Sequence, residues 1–456
     1  MATWLDAALD YIPLWLEHQR RQGELPGCVL AVAARGQLRF ERAFGLADLG
    51  TGEALTPRHR FRVASHSKSF TAAAILKLRE QGKLRLDDPV GWHVEGLHPE
   101  IAAATLSQLL SHSAGLVRDG AEAGQWVDRR PFLNEAELRA DLAGGPTIPG
   151  GTRFKYSNHG FGLLGMVIEA ATGEPYGQWI RREIVEAAGL AETEPDMPAG
   201  GAPPFTRGHS GKLPLDRRVV VPGENPTNAL AAATGFVSTA ADLARFFGLL
   251  DPETETSLLT PASRREMIRS QWSEAHSVLK RRYGLGIVSG EIGDWSWFGH
   301  SGGFQGYITR TLTVPGQGLT LSILTNAADG PAQVWGDGIV KILQAFAKHG
   351  APTDRVADWT GRWWSFWGAL DLVPLGSKVV VAVPGQNNPF QDASEIAVTG
   401  PDAGRITLAG SFASHGEPVR RECGADGAVS AVILGGSRLL PEPALVQELT
   451  ERYGKY

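Results

Sequence analysis

A serine and a lysine three residues apart share one face of a helix, and Ser65-His66-Ser67-Lys68 puts that pair at the start of a helical stretch. A serine hydroxyl is a weak nucleophile at neutral pH until a nearby base takes its proton. A lysine drawn out of water loses its own proton readily enough to be that base. A helix N-terminus adds the Ser65 backbone N–H and the helix dipole, both suited to a developing oxyanion. The same four residues also fit an N-cap serine followed by a surface lysine, so the pair needs partners elsewhere in the chain. Two segments offer them. Tyr156-Ser157-Asn158 follows a Gly- and Pro-rich turn and precedes a helix, with Tyr156 and Asn158 on one side of an extended stretch. Gly299-His300-Ser301-Gly302-Gly303 stands directly before a strand.

With these three boxes in order, the chain resembles the penicillin-recognising serine hydrolases: class C β-lactamases, D-alanyl-D-alanine carboxypeptidases, D-aminopeptidases and related esterases. Their cognate set is S-x-x-K, a second Ser- or Tyr-led box, and K-T-G. Two more segments carry the likeness, Thr105-Leu-Ser-Gln-Leu-Leu-Ser-His-Ser-Ala-Gly-Leu116 and Ala233-Thr-Gly-Phe-Val-Ser-Thr-Ala-Ala-Asp-Leu243. It extends over roughly residues 20–345. The resemblance implies Ser65 as nucleophile and Lys68 as its base. Tyr156, as phenol or partial phenolate, would relay the proton to the leaving group. Asn158 would hold Lys68 and meet a substrate amide, and the oxyanion hole would use the N–H groups of Ser65 and Gly303. The third box departs from the family. His300 replaces a fixed cation and is mostly neutral at pH 7 at its ordinary pKa. It can polarise Tyr156 or donate one hydrogen bond, but it pulls weakly on a free carboxylate. That shifts the expectation from β-lactamase toward D-aminopeptidase, amidase and CubicO-type enzymes.

These side chains need a scaffold. Gly27–Ala34 reads as a buried strand with a hairpin partner from Gln37, and Ser69–Gly82 as a helix closed by a glycine. Thr105 to Gln108 has capping-box spacing; apolar helices follow at Phe161–Thr172 and Thr239–Leu250. Tyr307–Pro315 and Leu319–Asn326 form a hairpin around Pro315-Gly-Gln-Gly318, and Trp335–Lys348 reads as a closing helix. This order predicts an α+β, β-lactamase/transpeptidase-like domain, an antiparallel sheet flanked by helices, over 1–351. Downstream, short apolar or alternating runs bounded by Gly, Pro and Asp predict an all-β unit over 352–456. By resemblance it is a lipocalin-like barrel. Trp359, Trp363, Trp364 and Trp367 open it; they are read first as a barrel plug and second as a ligand-stacking surface. Asn387-Asn388-Pro389-Phe390 is a candidate lid loop.

Composition narrows the partners. The chain has 456 residues, 44 basic against 49 acidic, for a net charge of −5 without a basic run, which argues against nucleic acid. No apolar run reaches 18 residues, so no membrane partner is expected. The amino terminus lacks a basic n-region, and we expect a cytoplasmic enzyme. Two cysteines, Cys28 and Cys423, do not make a disulfide framework. Twelve histidines lack metal-ligand spacing, and His66, His112, His159 and His209 are read as structural. No metal or cofactor is expected. Gly160-Phe-Gly-Leu-Leu-Gly165 is formally G-x-G-x-x-G, but no strand precedes it, so helix packing explains it better than a dinucleotide. Arg310 either meets an acidic substrate group or is a solvated strand residue. The expected function is hydrolysis of amides, short peptides (with D-residues preferred) or esters through an acyl-serine. Transfer of the acyl group to an amine, as in peptide cyclisation, is the alternative on the same site; a binding module without turnover is the alternative of another class. The oligomeric state is left open.

Overall fold

The computed structural model describes residues 3–197, 204–273, 278, 280–410 and 414–454. By contacts these form two compact units, one of Leu25–Gly336 and the other of the chain before Leu25 together with Asp337 onward.

The first unit is built on a nine-stranded antiparallel sheet. Its strands are β1 (Gly27–Ala34), β2 (Gln37–Asp48), β3 (Glu53–Ala54), β4 (Trp272–Ser273), β5 (Arg282–Tyr283), β6 (Val288–Ile292), β7 (Trp295–Phe304), β8 (Tyr307–Val314) and β9 (Leu319–Thr325). They lie in the order β3-β2-β1-β9-β8-β7-β6-β5-β4. The expected hairpins are present: Arg35 and Gly36 both turn with positive φ between β1 and β2, and β8 meets β9 from Ile308↔Thr325 to Val314↔Leu319. β1 and β9 read as near-continuous apolar runs because both are buried along their length.

Helices cover the sheet. α2 (Ser67–Glu80) is buried at 11 of its 14 positions, and Gly82 reverses the chain behind it with φ +72. α3 (Leu106–Leu110) starts at the expected capping box, with Thr105 and Gln108 exchanging side-chain-to-backbone hydrogen bonds. α4 (Asn158–Thr172) is capped by Ser157, whose Oγ accepts from the Gly160 N–H. The glycines 160, 162 and 165 lie inside α4. A Cβ on Gly162 would stand 2.9 Å from the Ala229 carbonyl, and one on Gly165 3.1 Å from the Ala232 Cβ. They permit close helix packing, as the absence of a preceding strand led us to expect. α5 (Ala240–Leu249) buries its apolar face next to β1, β8 and β9.

In the second unit, eight strands run as an antiparallel meander, from β10 (Gly361–Ser365) and β11 (Gly368–Leu375) to β17 (Ser437–Leu439). Trp364 and Leu440 exchange backbone hydrogen bonds of 2.7 and 2.8 Å, which nearly close the barrel. Trp359 and Trp363 sit in its core with Leu372, Val379 and Ile396, and the Arg421 guanidinium lies 4.6 Å over the Trp359 ring. The plug reading therefore holds for these two. Trp367 is 91% exposed at the β10–β11 turn. Contacts, rather than chain order, group the first helix α1 (Trp4–Gln22) with this barrel. Trp15 Nε1 donates to the Gln386 carbonyl, and Gln19 Nε2 to that of Pro384. Tyr11 donates to Asp371, and its ring lies 5.7 Å from Phe390. The loop expected as a lid, Asn387–Phe390, thus packs against α1. A closing helix, α6 (Ala332–His349), continues across the division between the units.

Gly162→Val is expected to lower stability by about 1–3 kcal/mol through overpacking against Ala229 and Leu138. It should appear as a lower urea midpoint at constant slope; an unchanged midpoint would contradict this account of the glycine run.

Candidate active site

Ser65 lies in a single 3₁₀ turn, Ala64–His66, that leads into α2. The turn is held from three directions. Val63 N–H donates to the Phe236 carbonyl at 3.0 Å. Ser67 Oγ donates to the Ala64 carbonyl at 2.5 Å and accepts from the Phe236 N–H at 3.0 Å. Strand β7 approaches so closely that a Cβ on Gly302 would stand 2.2 Å from the Val63 carbonyl. Between these contacts Ala64 is kept at φ +47, a costly conformation for a residue with a side chain. The strain sits immediately before the serine and aims it into a cleft of about 960 Å³.

Lys68 is fully buried one turn further on. Its Nζ lies 2.7 Å from Asn158 Oδ1, 2.8 Å from the Ala233 carbonyl and 3.3 Å from Ser65 Oγ. The two shorter contacts are to pure acceptors and the longest is to a hydroxyl. An ammonium would donate to all three, and a neutral amine, with two N–H donors and one lone pair, satisfies them as well when Ser65 donates its proton toward Nζ. Burial pushes the Lys68 pKa well below the ordinary lysine value, opposed by the Asp119 charge and aided by Arg118. Tyr156 O–H donates to Ser65 Oγ at 2.9 Å. Burial raises its pKa, which favours the phenol over the phenolate. The Lys68 ammonium position also lies 4.8 Å from the Tyr156 ring centre.

Asn158 is the first residue of α4, and Ser157 before it is extended (φ −140, ψ 120), which puts Tyr156 and Asn158 on one side as the spacing predicts. Asn158 Nδ2 donates to Asp119 Oδ1 at 2.5 Å. Asp119 also accepts from Trp126 Nε1 at 3.0 Å and pairs with Arg118 at 3.0 Å. This third link, from Asp119 through Asn158 to Lys68, was not found in the sequence. Asp119 follows the Ser-Ala-Gly-Leu segment by three positions, but no spacing rule marks it.

Gly303 lies on β7, and the Val288↔Gly299 pair is the last between β6 and β7. Beyond it, residues 300–304 of β7 pair with β8 only, among the described residues. That leaves one edge of β7 open along the cleft, where a Cβ on Gly303 would meet only Ile308 Cδ1, at 3.6 Å. His300 is 4% exposed. Desolvation, with His66 nearby, lowers its pKa to about 3. Its Nδ1 is 2.7 Å from the Ser301 carbonyl and its Nε2 3.2 Å from the Tyr283 hydroxyl. The hydrogen bond that His300 makes across the site is with Tyr283 and not with Tyr156, because the end of β5 sets the Tyr283 ring against it.

His66, His112, His159 and His209 are each held by contacts within the fold. His66 bridges Val63 and Thr311, and desolvation lowers its pKa to about 4. His112, at φ +57, accepts the Ser157 N–H on Nδ1 and lies 4.1 Å from the Tyr156 ring centre. His159 meets Asp141, and His209 meets Asn326 and Leu49. Arg310 is not a solvated strand residue. It is 6% exposed and 4.9 Å from the Trp297 ring centre, and it donates to the Gln333 carbonyl at the cleft wall. Among the described residues no cluster of His, Cys, Asp and Glu could hold a metal ion, and no helix is long and apolar enough to cross a membrane.

The Beta-lactamase family pattern matches residues 14–344. Penicillin-binding protein 4 of Amycolatopsis lactamdurans is 28% identical over 322 residues, 67% of this chain and 82% of that protein. Protein flp of Staphylococcus aureus is 29% identical over 169 residues, 36% of this chain. The chain thus spans about a third of the length of the curated relatives it matches first (34%). Among solved structures, the octameric penicillin-binding protein homologue from Pyrococcus abyssi shares the fold, with a TM-score of 0.67 at 22% identity over 95% of this chain and 100% of that one. A D-stereospecific amidohydrolase from Streptomyces sp. has a TM-score of 0.60 at 26% identity, over 73% of this chain and 98% of its own.

A lysine is a base only when uncharged, so with Lys68 in that role the rate of Ser65 modification by a fluorophosphonate should rise with pH through a limb lying below the ordinary lysine range. Asn158→Asp puts a carboxylate on Lys68 Nζ and should move that limb upward by about one pH unit or more. An unmoved limb in the pH–rate profile would show that another group controls it.

Proposed function

The chain belongs to the Beta-lactamase family, and we propose that it is a serine hydrolase acting through an acyl-serine at Ser65 on amides or short peptides, with D-residues preferred, and on esters. The observation that carries this reading is the set in which Ser65 Oγ lies 3.3 Å from the buried Lys68 amine and 2.9 Å from the Tyr156 hydroxyl. Lys68 takes the Ser65 proton as Oγ attacks the carbonyl carbon. The carbonyl oxygen becomes an oxyanion that the N–H groups of Ser65 and Gly303 would receive. Tyr156 gives its proton to the leaving nitrogen or oxygen as that bond breaks, and is reprotonated from Lys68. Water then attacks the ester with Lys68 again as base, which releases the acid and restores Ser65.

Asn158 orients Lys68 and, at the cleft wall, would meet a substrate amide. The open edge of β7 supports an extended, peptide-like substrate, since its backbone groups can pair with one. The D-stereospecific relative supports the stereochemical preference. The neutral His300 supports an amide or ester substrate over one recognised through a third-box cation. The family match covers residues 14–344, which include every residue of this proton path and support assigning the chemistry to the domain drawn at 1–351. The reaction needs no metal or cofactor as written. The acyl-serine would equally pass to an amine, and the choice between water and amine is made by which acceptor enters the cleft.

Ser65→Ala should abolish covalent labelling by a fluorophosphonate, and Lys68→Met should slow labelling by about 10²–10⁴-fold. Labelling that survives in Ser65→Ala would overturn the nucleophile assignment. Matched D- and L-aminoacyl amides, with and without an added amine, should give faster release from the D-series. A product carrying the added amine would identify transfer.

A further inference from the structure

Tyr283 has no part in the proton path above, yet it is among the most tightly positioned side chains at the cleft. It ends β5, and the loop after it is bound to α3 and to α2, the helix that carries Lys68. Gly286 N–H donates to the Leu110 carbonyl at 3.0 Å, and Ser69 Oγ donates to the Gly286 carbonyl at 2.7 Å. A Cβ on Gly286 would stand 2.8 Å from the Lys68 carbonyl, and one on Gly284 2.2 Å from that of Met267. No larger residue fits either place. The Tyr283 ring is then fixed on four sides, at 4.8 Å from His112, 5.3 Å from Phe154, and edge-on to Tyr156 and His300 at 6.4 and 6.0 Å.

The hydrogen bond to His300 decides what the hydroxyl offers. Nδ1 faces both the Ser301 carbonyl, at 2.7 Å, and the Ser301 N–H, at 3.0 Å; the shorter contact assigns the ring proton to Nδ1, and Nε2 then accepts from Tyr283 O–H. The phenol proton of Tyr283 is thereby held by His300, and its oxygen keeps lone pairs for another donor. Tyr283 lines the same cleft as Ser65, and its ring stands edge-on to that of Tyr156, the group that would protonate the leaving group.

We propose that Tyr283, held by His300, is a specificity-determining residue that accepts a hydrogen bond from the N–H of the leaving amine, and so selects amides that carry an N–H over those that do not. A neutral Tyr–His pair thus stands in the third box where relatives place a cation: it reads the scissile amide. The inference rests on the acyl-serine reading of the same site.

The test compares a D-alanyl anilide with its N-methylanilide. Both need a protonated nitrogen leaving group, but only the first has an N–H. Tyr283→Phe is expected to lower kcat/KM for the anilide by about 10- to 30-fold and for the N-methylanilide by no more than about 3-fold, the loss of one buried hydrogen bond. 3-Fluorotyrosine at position 283 keeps the shape and weakens the acceptor. It should lower the anilide to N-methylanilide ratio by about 2- to 5-fold, and it decides the question if Tyr283→Phe does not fold. Equal losses on both substrates, or none on either, would overturn the proposal. A wild-type protein that forms acyl-Ser65 from the matched D-alanyl ester but from neither anilide would also overturn it, whereas one that forms no adduct with any of the three refutes the acyl-serine reading itself.

Discussion

The constraint on which the site depends is an amine with no water around it. Lys68 is fully buried, and its three neighbours within hydrogen-bond distance are uncharged oxygens. A charged group in that position would need a close carboxylate to offset its desolvation. Asp119 is one residue removed, behind Asn158. That spacing lets the carboxylate orient Asn158 and limit the fall in the Lys68 pKa without forming an ion pair, which would hold the proton on the amine. Shifting Asp119 into direct contact would supply a better salt bridge and a worse base.

Much of the fold serves to keep this arrangement dry and rigid. α2 and α4 meet closely around Lys68, and the glycines of α4 let the neighbouring segment, including the Ala233 carbonyl, come near enough to accept from Nζ. β7 presses on the Ser65 turn at Gly302, where a side chain would collide with Val63. The resulting strain at Ala64 is borne by the hydrogen bonds of Val63, Ser67 and Phe236. Aromatic rings fill the remaining space. His112, Tyr156 and Tyr283 pack against one another, which takes much of the Tyr156 ring out of solvent and favours its phenol form.

The third box shows how burial overrides residue type. A histidine is the usual switch near neutral pH, and in the open it would alternate between cation and neutral ring. Enclosed by β7, β8 and the Tyr283 ring, His300 stays neutral down to about pH 3 and works as a hydrogen-bond acceptor. Positive charge along the cleft comes instead from arginines. Arg310 is flattened on Trp297, and Arg281 donates to the Gln333 side chain.

Local pattern was enough for the elements and for placing Ser65 and Lys68 together. Alternation and turn residues marked the hairpins, Thr105 and Gln108 marked a cap, and the three-residue spacing put Ser65 and Lys68 on one face. Those signals are short-range, so one strand or one turn of sequence contains them. Resemblance, resting on several boxes in order, joined Tyr156, Asn158, His300 and Gly303 to that pair and implied the barrel. What only the tertiary structure decided depends on residues far apart in the chain. Asp119 reaches Lys68 through Asn158, and Tyr283 meets His300 because glycines bind its loop to α2. Arg310 is buried by stacking on Trp297. The first helix joins the barrel through hydrogen bonds that cross more than 350 positions, such as Tyr11 to Asp371 (360 apart). Pairings of that kind leave no periodicity or spacing in a sequence, because they are set by where the sheet and helices bring the chain together.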